Sequence, residues 1–192
     1  MFNIPEQTYD IVYADFPWYY PAFKPEAKYV NTAARHYPLI PDDELLQFPL
    51  EQLLNDDGIA FLWATCPRLD FALEFGKHRG LRFSGVPFIW VKTRKNGVPM
   101  GAKGMRPRIV KPTTELVVAF VKQQKIIRPA DWTIRQVIFS PRREHSRKPD
   151  EVYECLETMY PTASKVELFA RSIRPGWDQW GNEVGKFSKE DT

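Results

Sequence analysis

The tetrapeptide Asp15-Phe16-Pro17-Trp18 sets one carboxylate at the end of a short apolar run, Tyr9 to Ala14, and follows it with a stiff aromatic corner. A carboxylate and the next residue's backbone carbonyl can together accept both hydrogens of an aromatic amino group. Held that way, the nitrogen is pushed toward a tetrahedral shape, and its delocalised lone pair becomes a better nucleophile. Pro17 fixes the backbone so that both acceptors aim at one spot. Trp18 offers a flat face for an unstacked base. The electrophile suited to such a nucleophile is a sulfonium methyl, which needs no metal. The plainer alternative is a strand that ends in an Asp-initiated turn with surface aromatics, and a four-residue motif alone does not exclude it.

The elements that must hold this corner are readable along the chain. Residues 9 to 14 form a first strand. Residues 19 to 41 read as a long loop with Pro21, Pro25, Pro38 and Pro41, and loops of that length inside a domain are commonly functional. Pro41-Asp42-Asp43-Glu44 opens a short helix, with acids in its first turn where the helix dipole favours them. A second short helix is expected at 50 to 54. IAFLWAT is a continuous apolar run of the kind found in fully buried strands. Pro67 starts a helix that Gly80 stops. The run 83 to 93 is a strand broken by Pro87, expected as two pieces or as an edge. Residues 94 to 114 form a second long loop. Strands follow at 115 to 122 and 134 to 139, a helix at 148 to 160, and a strand at 166 to 171. Strands alternating with helices predict an α/β fold with a mostly parallel central sheet flanked by helices. In such sheets ligands bind beyond the carboxyl ends of the strands, where Asp15 and Arg171 are expected.

Length and composition limit the alternatives. With 192 residues, the chain is read as one domain, with a core over about 9 to 183 and mobile loops at about 19 to 41 and 94 to 114. Its net charge of +3 is too small for a basic nucleic-acid coat, so any basic face must be local. Cys66 and Cys155 cannot build a disulfide framework and are expected as buried thiols. Without a Cys/His cluster, no metal site is expected. No signal peptide or long apolar run is visible, so a soluble cytoplasmic protein without membrane contact is expected.

Several segments carry a resemblance. DFPW at 15 to 18 resembles the DPPW motif of the MT-A seventy family of adenine methyltransferases. RHYPLIPDDEL at 35 to 45, DDGIAFLWAT, IWVKT at 89 to 93, HSRKPDEVYECLE at 145 to 157, KVELFAR at 165 to 171 and GWDQWGNE at 176 to 183 follow in the family's order. The resemblance covers about residues 9 to 183. It implies a Rossmann-like fold that binds S-adenosylmethionine and transfers its methyl group to the N6 amino group of adenine in nucleic acid. Carried over by position, Asp15, Phe16, Pro17 and Trp18 become the target-amine site. Asp15, Lys148, Glu167, Phe169, Arg171, Ser172, Asn182 and Glu183 become cofactor contacts, with Lys148 facing the cofactor's carboxylate. The second motif position is Phe16 rather than proline. The backbone carbonyl survives that change, but rigidity is lost. Ile4 or Gln7 are the upstream candidates for the cofactor's adenine. No glycine-rich phosphate cradle is present, and a cofactor without phosphates needs none.

Nucleic acid is expected on the two long loops, where Tyr20, Lys24, Lys28, Arg35 and Tyr37 lie in the first and Arg94, Lys95, Lys103, Arg106, Arg108 and Lys111 in the second. Cations of this kind neutralise phosphates. By resemblance Tyr37 sits nearer the target base. Arg142, Arg143, Arg147 and Lys148 form a third basic cluster. The small chain is similar to phage and bacterial members of the family, which favours DNA over RNA. A homodimer or heterodimer is plausible, since family members pair. Other readings remain open here: a catalytically inactive nucleic-acid-binding partner subunit, a cytosine-N4 methyltransferase, and a binding module without chemistry.

Overall fold

A computed structural model describes residues 2–19, 39–101, 109–144 and 146–186. Its described strands form a sheet of seven in the order β5-β3-β4-β2-β1-β6-β7. These are β1 (Tyr9–Ala14), β2 (Leu54–Thr65), β3 (Arg82–Thr93), β4 (Thr114–Val121), β5 (Val137–Pro141), β6 (Lys165–Leu168) and β7 (Asp178–Trp180). The pairs β1·β2, β1·β6, β3·β5 and β6·β7 are parallel, whereas β4 runs antiparallel to both β2 and β3. The sheet is therefore mixed but mostly parallel, as in S-adenosylmethionine-dependent methyltransferases of the Rossmann-like type.

Both faces of the sheet are covered, which is why its central strands read as unbroken apolar runs rather than as alternations. On β1, Val12 and Ala14 face one core with Leu62, Phe71, Phe75 and Phe120, beneath α1 (Asp42–Leu45) and α2 (Leu69–His78). Ile11 and Tyr13 face the other core with Phe61, Trp63 and Trp90, against Val152 and Leu156 of α3 (Asp150–Met159). α2 lies close to the sheet because Gly76 has no side chain. A Cβ there would come within 2.2 Å of the Phe120 ring.

Several expected boundaries shift. The segment around Pro87 is a single interior strand, not two pieces and not an edge. Its register slips between Phe83 and Phe88, and such irregularities are where a strand tolerates a residue without an N–H. β5 begins at Val137, three residues later than expected. β6 ends at Leu168, because Phe169 takes a left-handed φ of 57° and turns the chain. Arg171 thus lies beyond the strand. Cys66 is exposed and Cys155 half-buried, so the expectation of two buried thiols fails for Cys66 and is met only in part for Cys155. No described helix is long and apolar enough to cross a membrane.

Candidate active site

Parallel pairing brings the carboxyl ends of β1, β2 and β6 to one pole, with Ala14 level with Leu62 and Leu168. Asp15 is the next residue. Because β4 runs the other way, its first residues arrive at the same pole, and Glu115 pairs with Thr65 on one side and Trp90 on the other. The chain after β5 then brings residues 142 to 144 and 146 to 148 to the same pole.

Phe16 explains how the corner stays rigid without a second proline. Its ring is buried and makes edge-on contacts with Trp18, Phe48, Phe75 and Phe169 at 5.1–5.4 Å. Aromatic pairs of this geometry contribute about 0.5–1.5 kcal/mol each beyond burial, so packing replaces ring closure as the constraint. The Trp18 N–H donates to the Phe16 carbonyl at 2.9 Å across Pro17, forming a three-residue turn. A carbonyl oxygen has two lone pairs, so one remains for a second donor. Ile40 N–H donates to the Pro17 carbonyl at 3.2 Å and ties the corner to the segment before α1.

Trp18 is where the structure departs from expectation. It is buried, its indole N–H donates to the Trp63 carbonyl at 3.1 Å, and its ring packs edge-on to Phe16 and Phe71. It lines a hollow, but it is a structural pin rather than an open stacking face.

Asp15 borders three hollows. The first, of about 200 Å³, is lined by Lys148, Glu167, Phe169, Arg171 and Ser172, with Tyr153 and Arg174. The second, of about 190 Å³, is lined by Phe16, Trp18, Thr65, Lys92, Glu115 and Lys148, with Arg142, Arg143 and Arg147 nearby. The third, of about 130 Å³, is lined by Pro17, Ile40, Phe169, Arg171, Trp180, Asn182 and Glu183. Gly181, at φ 154°, lets its backbone pass the Phe169–Ala170 backbone, which a Cβ would meet at 2.9 Å.

Charges around the carboxylate are paired. Lys148 Nζ lies 2.9 Å from Asp15 Oδ2 and 3.1 Å from Glu115 Oε2, and Lys92 donates to Glu115 Oε1. Burial pushes the Asp15 carboxyl up, against the pull of Lys148 and Arg171. Burial acts on Glu115 as well, but Lys148 and Lys92 outweigh it and hold its carboxyl at about 2. Glu167 accepts the Tyr153 hydroxyl at 2.6 Å through Oε1, while its buried Oε2 has no partner. Burial raises this carboxyl to about 7. Arg171 pairs with Glu183 at 3.1 Å.

The three hollows therefore gather Asp15 to Trp18, Lys148, Glu167, Phe169, Arg171, Ser172, Asn182 and Glu183. Gln7 is not among them. It donates to the Tyr9 hydroxyl at 2.5 Å and to Asp178, and Ile4 packs on the core. Arg94, Lys95 and Lys111 are exposed and line none of the three. Tyr20, Lys24, Lys28, Arg35, Tyr37, Lys103, Arg106 and Arg108 lie outside the described residues. Glu115 and Lys92 were missed. The available signal was a lone acid opening the apolar run ELVVAFV, but it points to this pole only once β4 is known to run antiparallel. Among the described residues no group of three or more His, Cys, Asp or Glu could hold a metal ion.

The MT-A70 family profile matches residues 9–183, which includes every element that borders the hollows. The chain belongs to the MT-A70 family. It is 31% identical over 198 residues to the Type II methyltransferase M.MunI of Mycoplasma sp., an alignment covering 95% of this chain and 80% of that one. An N(6)-adenosine-methyltransferase MT-A70-like protein of Arabidopsis thaliana is 31% identical over 92% of this chain but 24% of its own length. The human N(6)-adenine-specific methyltransferase METTL4 is 26% identical over 96% of this chain and 39% of its own. The chain thus spans well under half of these two eukaryotic relatives. As an MT-A70 protein it is an S-adenosylmethionine-dependent adenine methyltransferase acting on nucleic acid.

The hollows suit that cofactor chemically. An amino-acid end carrying both charges needs a cation and an anion, and the first hollow offers Lys148 and Arg171 beside Glu167, whose buried Oε2 lacks a donor. A nucleoside end needs an apolar wall and polar contacts, and the third offers Phe169, Trp180 and Ile40 with Asn182 and Glu183.

Proposed function

We propose that the enzyme methylates the N6 amino group of adenine in DNA, with the first and third hollows holding S-adenosylmethionine and the second receiving the flipped-out base. When bound, the cofactor supplies an electrophilic sulfonium methyl. Asp15 and the Phe16 carbonyl accept the two amino hydrogens and orient the nitrogen lone pair. Lys148, Glu167, Arg171 and Ser172 hold the amino-acid end, and Phe169, Asn182 and Glu183 the ribose and adenine end. Arg142, Arg143 and Arg147, around the second hollow, meet the phosphates flanking the flipped nucleotide. The observation that carries this reading is the position of Asp15, which alone among the described residues borders all three hollows.

DNA is favoured over RNA because one relative aligned along most of both chains is a Type II methyltransferase of Mycoplasma sp.. The RNA methyltransferase MTA1 of Pyricularia oryzae is aligned over 39% of its length. Purified protein with methyl-labelled cofactor and either DNA or RNA, single- and double-stranded, followed by digestion to nucleosides, tests this. Label is expected in N6-methyldeoxyadenosine. Label confined to RNA adenosine, or to cytosine, would overturn the substrate assignment.

A further inference from the structure

Lys148 serves two carboxylates at once, 2.9 Å from Asp15 and 3.1 Å from Glu115. Glu115 in turn is held by two lysines, with Lys92 on its other oxygen. The four side chains come from four separate segments: the residue after β1, the start of β4, the end of β3 and the turn before α3. They alternate in sign and sum to zero charge. Lys92 and Glu115 have no place in the chemistry described above, yet both border the second hollow. All four are at least three-quarters shielded from solvent, with Lys148 10% and Glu115 12% exposed. In such surroundings an unbalanced charge is costly and its neighbours must respond.

We propose that Glu115 and Lys92 are a positioning pair that fixes how Lys148 is divided between Glu115 and Asp15, and so sets the readiness of Asp15 to accept the hydrogens of the adenine amino group. The inference rests on the role of Asp15 given above. Lys92 neutralises Glu115 just enough that Lys148 leans toward Asp15. Without Lys92, Glu115 draws Lys148 to itself and Asp15 loses its cation. Without Glu115, Asp15 is the carboxylate of the pair left to Lys148. The two removals therefore act in opposite directions, which a merely structural role would not produce. Arg171 beyond β6, Glu167 on β6, Tyr13 on β1 and Tyr153 on α3 also act on Asp15, and Arg142, Arg143, Glu144 and Arg147 before α3, Asp150 on α3, Arg174 beyond β6 and Glu183 beyond β7 line the hollows it borders. None of them is altered by either substitution.

The pH dependence of kcat for methyl transfer to DNA, under saturating cofactor and DNA, reads this directly. Asp15 must be ionised to act as an acceptor, so the rate falls on the acid side. Glu115→Gln is expected to move that acid limb to lower pH, and Lys92→Met to move it to higher pH, each by about one unit. Lys92→Arg should restore the wild-type limb. If Glu115→Gln does not fold, judged by thermal unfolding, the upward shift in Lys92→Met and its rescue in Lys92→Arg decide the question. Acid limbs unmoved in folded variants, or moved in the same direction by both substitutions, would overturn the proposal. Methyl transfer that survives Asp15→Asn at a near-normal rate would instead overturn the role of Asp15 itself.

Discussion

Asp15 is a largely buried acid, and the role proposed for it requires its charge. Burial raises its carboxyl above the ordinary range, so the transfer rate should fall on acidification at a pH higher than an exposed aspartate would give. Glu167 makes a separate prediction about stability. Its carboxyl is raised to about 7 in the folded protein, against an unfolded value near 4.5. A raised acid stabilises the fold below its unfolded value and loses that contribution as pH rises through the folded one. Between pH 5 and 8 the cofactor-free enzyme should therefore lose stability, on the order of 3 kcal/mol at most. Glu167→Gln should flatten that part of the profile in thermal unfolding at several pH values. An unchanged slope would show that Glu167 titrates normally. The acid-aromatic corner was legible at this scale because strand end, carboxylate and proline are contiguous. Trp18 was misread because composition does not show whether an aromatic faces a base or the core. Only Phe71 and the Trp63 carbonyl decide that.

Most of the elements could be read from apolar runs and their punctuation, and β1, α1 and α2 begin within two residues of where the sequence put them. Strand direction could not be read. β4 resembles the parallel strands because both its faces are covered, yet it runs antiparallel and delivers Glu115 to the active pole. Pro87 argued for an edge, and only the register slip beside it shows how an interior strand accepts it. Close approach between elements was equally hidden. Gly76 reads as an ordinary helix glycine until Phe120 is seen against it. Gly76→Ala should destabilise the fold by about 1–3 kcal/mol, measured by urea unfolding. Unchanged stability would mean that α2 and the sheet have room to separate.

Across the whole molecule, a mixed sheet brings strand ends from both of its halves to one pole, and three hollows meet there at a single carboxylate. In the proposed reading Asp15 separates the cofactor side from the base side, and the aromatic packing of Phe16 holds the adjacent carbonyl in place. The arrangement predicts that chemistry and cofactor affinity can be uncoupled. The most direct measurement pairs calorimetric binding of S-adenosylmethionine with labelled transfer to DNA adenine, in wild type and Asp15→Ala. The account predicts transfer reduced ~100-fold or more, while cofactor binding is largely kept. Transfer at a near-normal rate in that variant would contradict it.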